Sequence, residues 1–250
     1  ADRALSLAKA RVKAAEEAYG PNDARVAPGL IYLAAVDCNA RGDFKRAREN
    51  LSRAERLLDA AGDHTSMTRA QLWMWQGRLP SLAEQQPAWH KSPLRKAIDL
   101  MRSRYAGSDE FLIALEMAVD LVVNTPTDLP EALRLADEAI AIARARYGEE
   151  HGRVARALVA RGKTLFLLKR YDEAVATFHQ SLNQLRKFEG ESHPDVFLVT
   201  YQLSKAHFYA EQKDKARATL EELRSLQTKY HATDRRLIAD VAELEALLSQ

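Results

Sequence analysis

Seven histidines, one cysteine and several adjacent glutamate pairs are the side chains that could bind a metal ion or transfer protons. A metal site needs three or four such ligands close together. Four of the histidines fall instead in separate short turns, and turns between stacked helix pairs lie about 10 Å apart. These four are His64, His151, His193 and His231. We therefore expect no metal site and no cofactor.

Cys38 is the single cysteine, which excludes an intramolecular disulfide and a cysteine-based metal cluster. It lies in an apolar helical stretch, so we expect a buried, unreactive thiol. The glutamate pairs, such as Glu16-Glu17 and Glu149-Glu150, are predicted to lie on solvated helix faces. The sequence contains no nucleotide-binding glycine loop, nucleophile elbow or metalloprotease motif. We therefore predict a protein that is not an enzyme.

The elements that position the side chains are predicted to be helices. Hydrophobic residues make up 46% of the 250 and charged residues 29%, and ten glycines with eight prolines are too few turn residues for an all-β protein. The net charge of +2 is too small to recruit nucleic acid or a membrane surface. No stretch approaches the roughly 18 to 20 apolar residues of a membrane span, so membrane insertion is not expected. The compartment stays open, with the cytoplasm favoured.

Glycines at a nearly constant spacing divide the chain into repeats. The steps between them are 42, 45, 41 and 42 residues, and a further step of 42 reaches Ala232 in a similar turn. These glycines are Gly20, Gly62, Gly107, Gly148 and Gly190. Each follows a helical pattern and shortly precedes a residue that caps helix N-termini, which indicates one helix ending and the next beginning. The pattern predicts a tandem array.

Within each repeat, apolar residues recur at helical spacing, and a second break such as Lys169-Arg170-Tyr171-Asp172 divides the unit into two helices. We predict a single array over residues 1–250. It would begin with a half-repeat helix over 1–19 and end with a capping helix over 234–249. The helix pairs are predicted over 24–61, 65–106, 109–147, 150–188 and 193–230.

Small residues recur near the start of the second helices, at Ala47, Ala132, Ala174 and Ala216, where they let two helices approach closely. With the run Gly162-Lys163-Thr164-Leu165 and the later Arg170-Tyr171-Asp172-Glu173-Ala174, this pattern resembles a tetratricopeptide repeat. The 42-residue period and the turn Gly190-Glu191-Ser192-His193 are similar to the longer variant found in kinesin light chains and many bacterial proteins. The resemblance implies an all-α fold, a right-handed α-solenoid of antiparallel helix pairs, that binds proteins or peptides.

In that family the first helix of each unit lines a concave inner wall, so the resemblance implies which side chains face a ligand. They are Tyr32, Asn39, Asn124, Arg156, Lys163, Phe166, Tyr201, Lys205 and Phe208, with Tyr209 beside the last. Asparagine offers a donor and an acceptor to an extended peptide, and lysine attracts carboxylates. The later units combine cations with aromatic rings, which suits an acidic, partly hydrophobic segment of a partner.

The unit from Gly62 to Gly107 departs from the pattern, because Leu79-Pro80-Ser81 and Gln85-Gln86-Pro87 indicate an expanded turn. For Trp73, Trp75 and Trp89 in this unit, core packing is favoured over an exposed contact site. The leading hypothesis is a module that binds a protein or peptide in its groove. The half-repeat at the start indicates upstream sequence and leaves a second hypothesis, a sensory or regulatory segment of a larger signalling protein. An oligomerisation scaffold that associates with itself is a third. Nucleic acid is not an expected partner.

Overall fold

A computed structural model describes residues 2–82, 92–123, 128–231 and 233–249. Within these ranges the secondary structure consists of helices and turns, and no strand occurs. The predicted all-α fold class is therefore confirmed. None of the described helices is long and apolar enough to cross a bilayer. The chain divides into two compact units, Ala1–Leu121 and Val122–Gln250. The division into a single array of five helix pairs stays a prediction.

The first unit is built of helices that pack on their neighbours in the chain. Helix α1 packs on α2, α2 packs on both α3 and α4, and α4 packs on α5. Between α2 and α3 the chain forms a π-helical turn, Asp37–Arg41. The helices are α1 (Asp2–Tyr19), α2 (Ala27–Val36), α3 (Phe44–Ala60), α4 (Met67–Leu82), α5 (Pro93–Arg104) and α6 (Asp109–Val122), which ends at the unit boundary.

The second unit follows the same plan with more regular turns. Turns of three residues separate α8 from α9 and α10 from α11, so the helices of each pair run antiparallel. Each helix packs on the next, and α12 contacts both α11 and α10. The helices are α7 (Leu129–Tyr147), α8 (Gly152–Leu167), α9 (Tyr171–Glu189), α10 (Pro194–Tyr209), α11 (Lys213–Tyr230) and α12 (Arg235–Leu248).

Helix α4 runs through Leu79 and Pro80 to Leu82, although the sequence predicted a turn from Leu79 onward. Pro80 lies in the last turn of α4, and the helix ends two residues after it. The rest of the predicted turn, with Trp89, lies outside the described residues. Of the other two tryptophans, Trp75 packs partly against the core of the first unit. The guanidinium carbon of Arg69 lies 5.9 Å from the ring centre of Trp73.

The small residues near the starts of α3, α7, α9 and α11 are buried. Ala47, Ala132, Ala174 and Ala216 have no exposed surface. A Cβ atom on Gly162 of α8 would lie only 2.5 Å from Cε1 of Phe178, a fully buried ring of α9. The two helices therefore approach more closely than any larger residue at position 162 would allow.

Two serines use this close approach to bond one helix to another. The Ser181 hydroxyl on α9 donates to the carbonyl oxygen of Ala155 on α8 over 2.8 Å. The Ser204 hydroxyl on α10 donates to the carbonyl oxygen of Ala216 on α11 over 3.0 Å. Both serines are buried, so these bonds satisfy hydroxyls that water cannot reach.

Arg161 joins three helices. Its Nε donates to Oδ1 of Asp137 on α7 over 2.8 Å, and its Nη1 donates to the Thr177 hydroxyl on α9 over 2.8 Å. The guanidinium thus forms a pair of directional bonds across α7, α8 and α9.

The turns between pairs are formed by glycines with positive φ followed by capping side chains. Gly20, Gly62, Gly148 and Gly190 have φ of 89°, 67°, 88° and 88°. The side chains that accept from backbone N–H groups after these four glycines are Asp23, Asp63, His151 and His193. Ser108 has the same role after Gly107, and Asp234 has it at the start of α12. Helices end shortly before these glycines. The imidazoles act as N-caps, a role that the sequence analysis did not assign.

Helix α12 lies at the end of the second unit. Leu244 has no exposed surface and Val241 is 7% exposed. Leu237 and Leu248 are partly buried against the same apolar core, which includes Leu223 and Leu226 of α11. The apolar stripe of α12 therefore covers side chains of the last helix pair.

Replacing Gly190 with alanine should destabilise the second unit by about 1–3 kcal/mol, because φ of 88° with ψ of 163° is a conformation that other residues enter only with strain. Gly107→Ala is the matched control, since a Cβ there would meet nothing within 4 Å and φ is not positive. Its free energy of unfolding should change by about 0.5 kcal/mol or less. Urea denaturation measures both changes, and equal losses in the two variants would contradict the role assigned to Gly190.

Candidate functional site

The nine predicted contact residues divide between the two units. Tyr32 and Asn39 lie in the first unit, on α2 and on the π-helical turn after it. Asn124 lies outside the described residues. The other six lie on two helices of the second unit: Arg156, Lys163 and Phe166 on α8, and Tyr201, Lys205 and Phe208 on α10. Each unit therefore has its own candidate site.

In the first unit, the open side of α2 forms one wall of a pocket of about 520 Å³. Helices α1, α4 and α6 supply the other walls, and most of the lining is apolar. The side chains that give the pocket its chemical character are Arg11, Tyr32, Asn39, Gln71, Trp75 and Glu110. Both residues predicted for this unit thus lie at one pocket, whereas Arg11, Gln71, Trp75 and Glu110 were not predicted.

The pocket is apolar because α2 is apolar on nearly every side. Its sequence contains no charged residue, and Leu30, Ile31, Leu33 and Ala34 are buried. Tyr32 nevertheless remains 44% exposed and faces the pocket. Helices that are apolar all round are normally covered on all sides. Here one side of α2 is left uncovered by the residues that the structure describes.

A cation is held next to this apolar wall. The guanidinium carbon of Arg11 lies 5.7 Å from the centre of the Tyr32 ring, a contact worth about 0.5–1 kcal/mol at an exposed site. Among the described residues, no carboxylate lies within ion-pairing distance of Arg11. The ring therefore positions a positive charge that is available to a ligand.

The turn that carries Asn39 is fixed to α3 through Asp37. Asp37 has no exposed surface, and Nδ2 of Asn50 donates to its Oδ2 over 3.1 Å. Burial raises the pKa of the neighbouring Cys38 thiol; the charge of Asp37 adds to this effect and that of Arg78 opposes it. Because the thiolate is the reactive form, Cys38 is a poor nucleophile at neutral pH.

In the second unit, four rings form an aromatic cluster at the ends of α8 and α10. Phe166, Tyr171 and Tyr209 have centroids 5.4 Å from one another, and Phe208 lies 5.3 Å from Tyr209. Tyr209 is 42% exposed and the other three rings are half-buried. Tyr171 was not predicted. The signal for it is the short turn after α8, which folds the first residue of α9 back beside Phe166.

Lys163 lies one helical turn before Phe166 and is half-buried. Within the described part of the chain, no carboxylate lies close enough to pair with it. An ammonium group that pairs with no described carboxylate, close to partly exposed rings, can attract a carboxylate that is joined to an apolar group. This surface, Lys163 with the aromatic cluster, is the candidate site of the second unit.

Lys205 occupies the same repeat position as Lys163 but is already paired. Its Nζ donates to Oε1 of Glu243 on α12 over 2.9 Å and to the Tyr201 hydroxyl over 3.3 Å. Burial opposes its charge, yet the bonds to Glu243 and Tyr201 outweigh burial and raise the pKa of Lys205. Tyr201 is only 7% exposed. Both side chains therefore serve the contact between α10 and α12.

The remaining two predicted residues have partners as well. Nη2 of Arg156 lies 3.5 Å from Glu189, and its Nε lies 3.6 Å from Asp195, so two carboxylates neutralise this cation. Phe208 is half-buried, and Nζ of Lys213 lies 5.8 Å from its ring centre. Of the six predicted residues in this unit, Lys163 and Phe166 contribute most directly to an available surface.

Comparison with known proteins is consistent with this helical plan. Residues 127–176 and 153–229 match the family model described as tetratricopeptide repeat. No curated protein matches the chain by sequence. Crystal structures of a Podosopora anserina protein, described as a putative kinesin light chain with nearly identical TPR-like repeats, are similar. One has 17% identity over 83% of this chain and 96% of that chain, with a TM-score of 0.67. A variant of the same protein has 16% identity over 82% and 96%, with a TM-score of 0.69.

The crystal structure of BtubC (BKLC) from P. vanneervenii is also similar, with 17% identity, 94% of each chain covered and a TM-score of 0.71. At this level of identity the likeness establishes the fold. Tetratricopeptide repeats generally form non-catalytic scaffolds that bind proteins or peptides. Residues 127–229 therefore match a type of repeat that commonly binds proteins or peptides.

Replacing Glu243 with glutamine should lower the free energy of unfolding by about 0.5–1 kcal/mol, because Lys205 loses its charged partner. The bond from Lys205 lowers the pKa of Glu243, so the carboxylate stabilises the folded state above about pH 4.5, the ordinary value, and this contribution is lost as the pH falls further. Urea denaturation of both proteins at pH 7 and pH 3.5 should show a gap that narrows in acid.

Glu17→Gln is the control for that comparison. It removes an exposed pair with Lys13 at 3.6 Å and should cost about 0.3 kcal/mol or less. A loss as large as that of Glu243→Gln would argue against a special role for the bond between α10 and α12.

Proposed function

We propose that this tetratricopeptide repeat protein, with a fold like that of kinesin light chain TPR-like repeats, is a non-enzymatic module that holds a segment of another protein. The segment lies on the open faces of the first helices α8 and α10. The observation that carries the proposal is Lys163, which pairs with no carboxylate of the described residues and lies one helical turn before Phe166 in the aromatic cluster of Phe166, Tyr171, Phe208 and Tyr209.

The chemistry of this surface favours an acidic partner segment that also carries an apolar or aromatic residue. A carboxylate of the segment pairs with Lys163, and an adjacent apolar side chain packs on Tyr209 and Phe166. An exposed ion pair contributes about 0.2–1 kcal/mol, whereas burying a ring contributes about 1.5–3 kcal/mol. The rings therefore supply most of the affinity, and Lys163 supplies the preference for acidic sequences.

The two lysines of this surface differ in role. Charge reversal at Lys205 would leave Glu243 opposite a second carboxylate and disturb the packing of α12. Charge reversal at Lys163 removes no ion pair of the described residues. Lys163 is therefore the position at which partner binding can be tested apart from folding.

Selection of random eight-residue peptides displayed on yeast would test the proposal with the whole chain as bait. The unaltered protein should enrich peptides in which Asp or Glu neighbours an aromatic or large aliphatic residue. Lys163→Glu should remove the preference for acidic residues and favour basic ones, because the charge at the surface has changed sign. Tyr209→Ala should reduce enrichment of every class, since it removes the most exposed ring of the cluster.

Lys96→Glu is the matched control, because Lys96 is an exposed cation on α5 of the first unit, outside the proposed surface. It should enrich the same peptides as the unaltered protein. The proposal fails if Lys163→Glu and Lys96→Glu select alike, or if no peptide class is enriched by the unaltered protein.

A further inference from the structure

The pocket of the first unit differs in chemistry from the surface of the second. Gly42, Lys169 and Glu211 have a left-handed backbone conformation after α2, α8 and α10. The residues six positions before them are Val36, Lys163 and Lys205. The wall formed by α2 therefore lacks the cations that the other two helices carry. Tyr32, Trp75 and Met74 add apolar surface to the same pocket.

The size of this pocket suits a small molecule. Its volume of about 520 Å³ falls within the roughly 300–1,000 Å³ of small-molecule sites, which are mostly apolar with a few polar groups that orient the ligand. Here the polar groups are the amides of Asn39 and Gln71 and two opposite charges, Arg11 and Glu110. The charges decide which ligand is favoured.

Arg11 and Glu110 are not equivalent, although both line the pocket. Glu110 lies in the first turn of α6, where unpaired backbone N–H groups and the helix dipole compensate a negative charge. Arg11 is held over the Tyr32 ring, and no carboxylate of the described residues pairs with it. The charge that remains for a ligand to balance is therefore positive.

We infer that this pocket binds a small amphiphilic anion, an apolar body that packs between Tyr32 and Trp75 with one carboxylate directed to Arg11. This is a ligand site separate from the protein-binding surface proposed on α8 and α10. It uses helices of the other unit and a different ligand chemistry.

Anilinonaphthalene sulfonate (ANS), an aromatic body with one negative charge, is a direct probe for such a site. Titration of the folded chain should give a saturable rise in ANS fluorescence with one site per chain. Tyr32→Ala should weaken binding about tenfold, because the probe loses one wall of the pocket. The matched control is Tyr209→Ala, which removes a ring of nearly equal exposure, 42% against 44%, and should leave the titration unchanged.

The charges are tested with an uncharged analogue of the probe, N-phenyl-1-naphthylamine. Arg11→Gln should weaken ANS about fivefold, and Glu110→Gln should tighten it. Neither substitution should change binding of the uncharged analogue. Decanoate should displace ANS at several-fold lower concentration than decanol, which has the same chain without the charge.

Thermal unfolding confirms that each variant is folded before its titration, because partly folded chains bind ANS without a site. Three results would overturn the inference. Tyr32→Ala and Tyr209→Ala could weaken ANS binding equally, or Arg11→Gln could weaken binding of the uncharged analogue as much as binding of ANS. The third is displacement of ANS by decanol and decanoate at equal concentrations. The outcome does not depend on whether Lys163 binds a peptide, so the two proposals are tested separately.

Discussion

The close approach of the two helices in a pair is the constraint on which the other features depend. Gly162 has no side chain to keep the ring of Phe178 away, and Ala174 and Ala216 are fully buried at comparable crossings. An added methyl group at such a site overpacks the core at a cost of about 1–3 kcal/mol. Because the spacing of a pair is fixed by these residues, one face of each first helix is always buried against its partner. Its opposite face is less constrained by the pair, and this freedom lets its side chains differ between repeats, as Val36, Lys163 and Lys205 do.

The two units use this freedom in different ways. On α2 the open face is apolar and lies along a pocket, with Arg11 held at Tyr32 from the neighbouring helix. On α8 and α10 the open faces carry cations and rings, and most of those cations are balanced within the fold. The first unit therefore presents a mostly apolar recess, and the second presents a charged aromatic surface.

The sequence was sufficient for the fold class because the glycine ladder and the small residues are local signals that repeat. It was insufficient for the site because the pairing of a side chain depends on helices that are distant in the chain. Lys163 and Lys205 have the same repeat position, yet Lys205 meets Glu243, a residue 38 positions later on α12. The burial of Tyr201 and the pairing of Arg156 also depend on neighbouring helices that pack beside these two residues. Tyr171 could have been found, since a three-residue turn places it next to Phe166.

The side chains that cap helices after the glycine turns are of two chemical kinds. Asp23 and Asp63 accept backbone N–H groups through carboxylate oxygens, and the bond from Arg25 lowers the pKa of Asp23 to about 2. His151 and His193 accept through Nδ1 over 3.1 and 3.2 Å. An imidazole also presents an aromatic ring, and the ring of His151 stacks on that of Tyr147 with centroids 4.6 Å apart. One side chain in this turn thus caps the helix that follows and packs against the last residue of the helix before it.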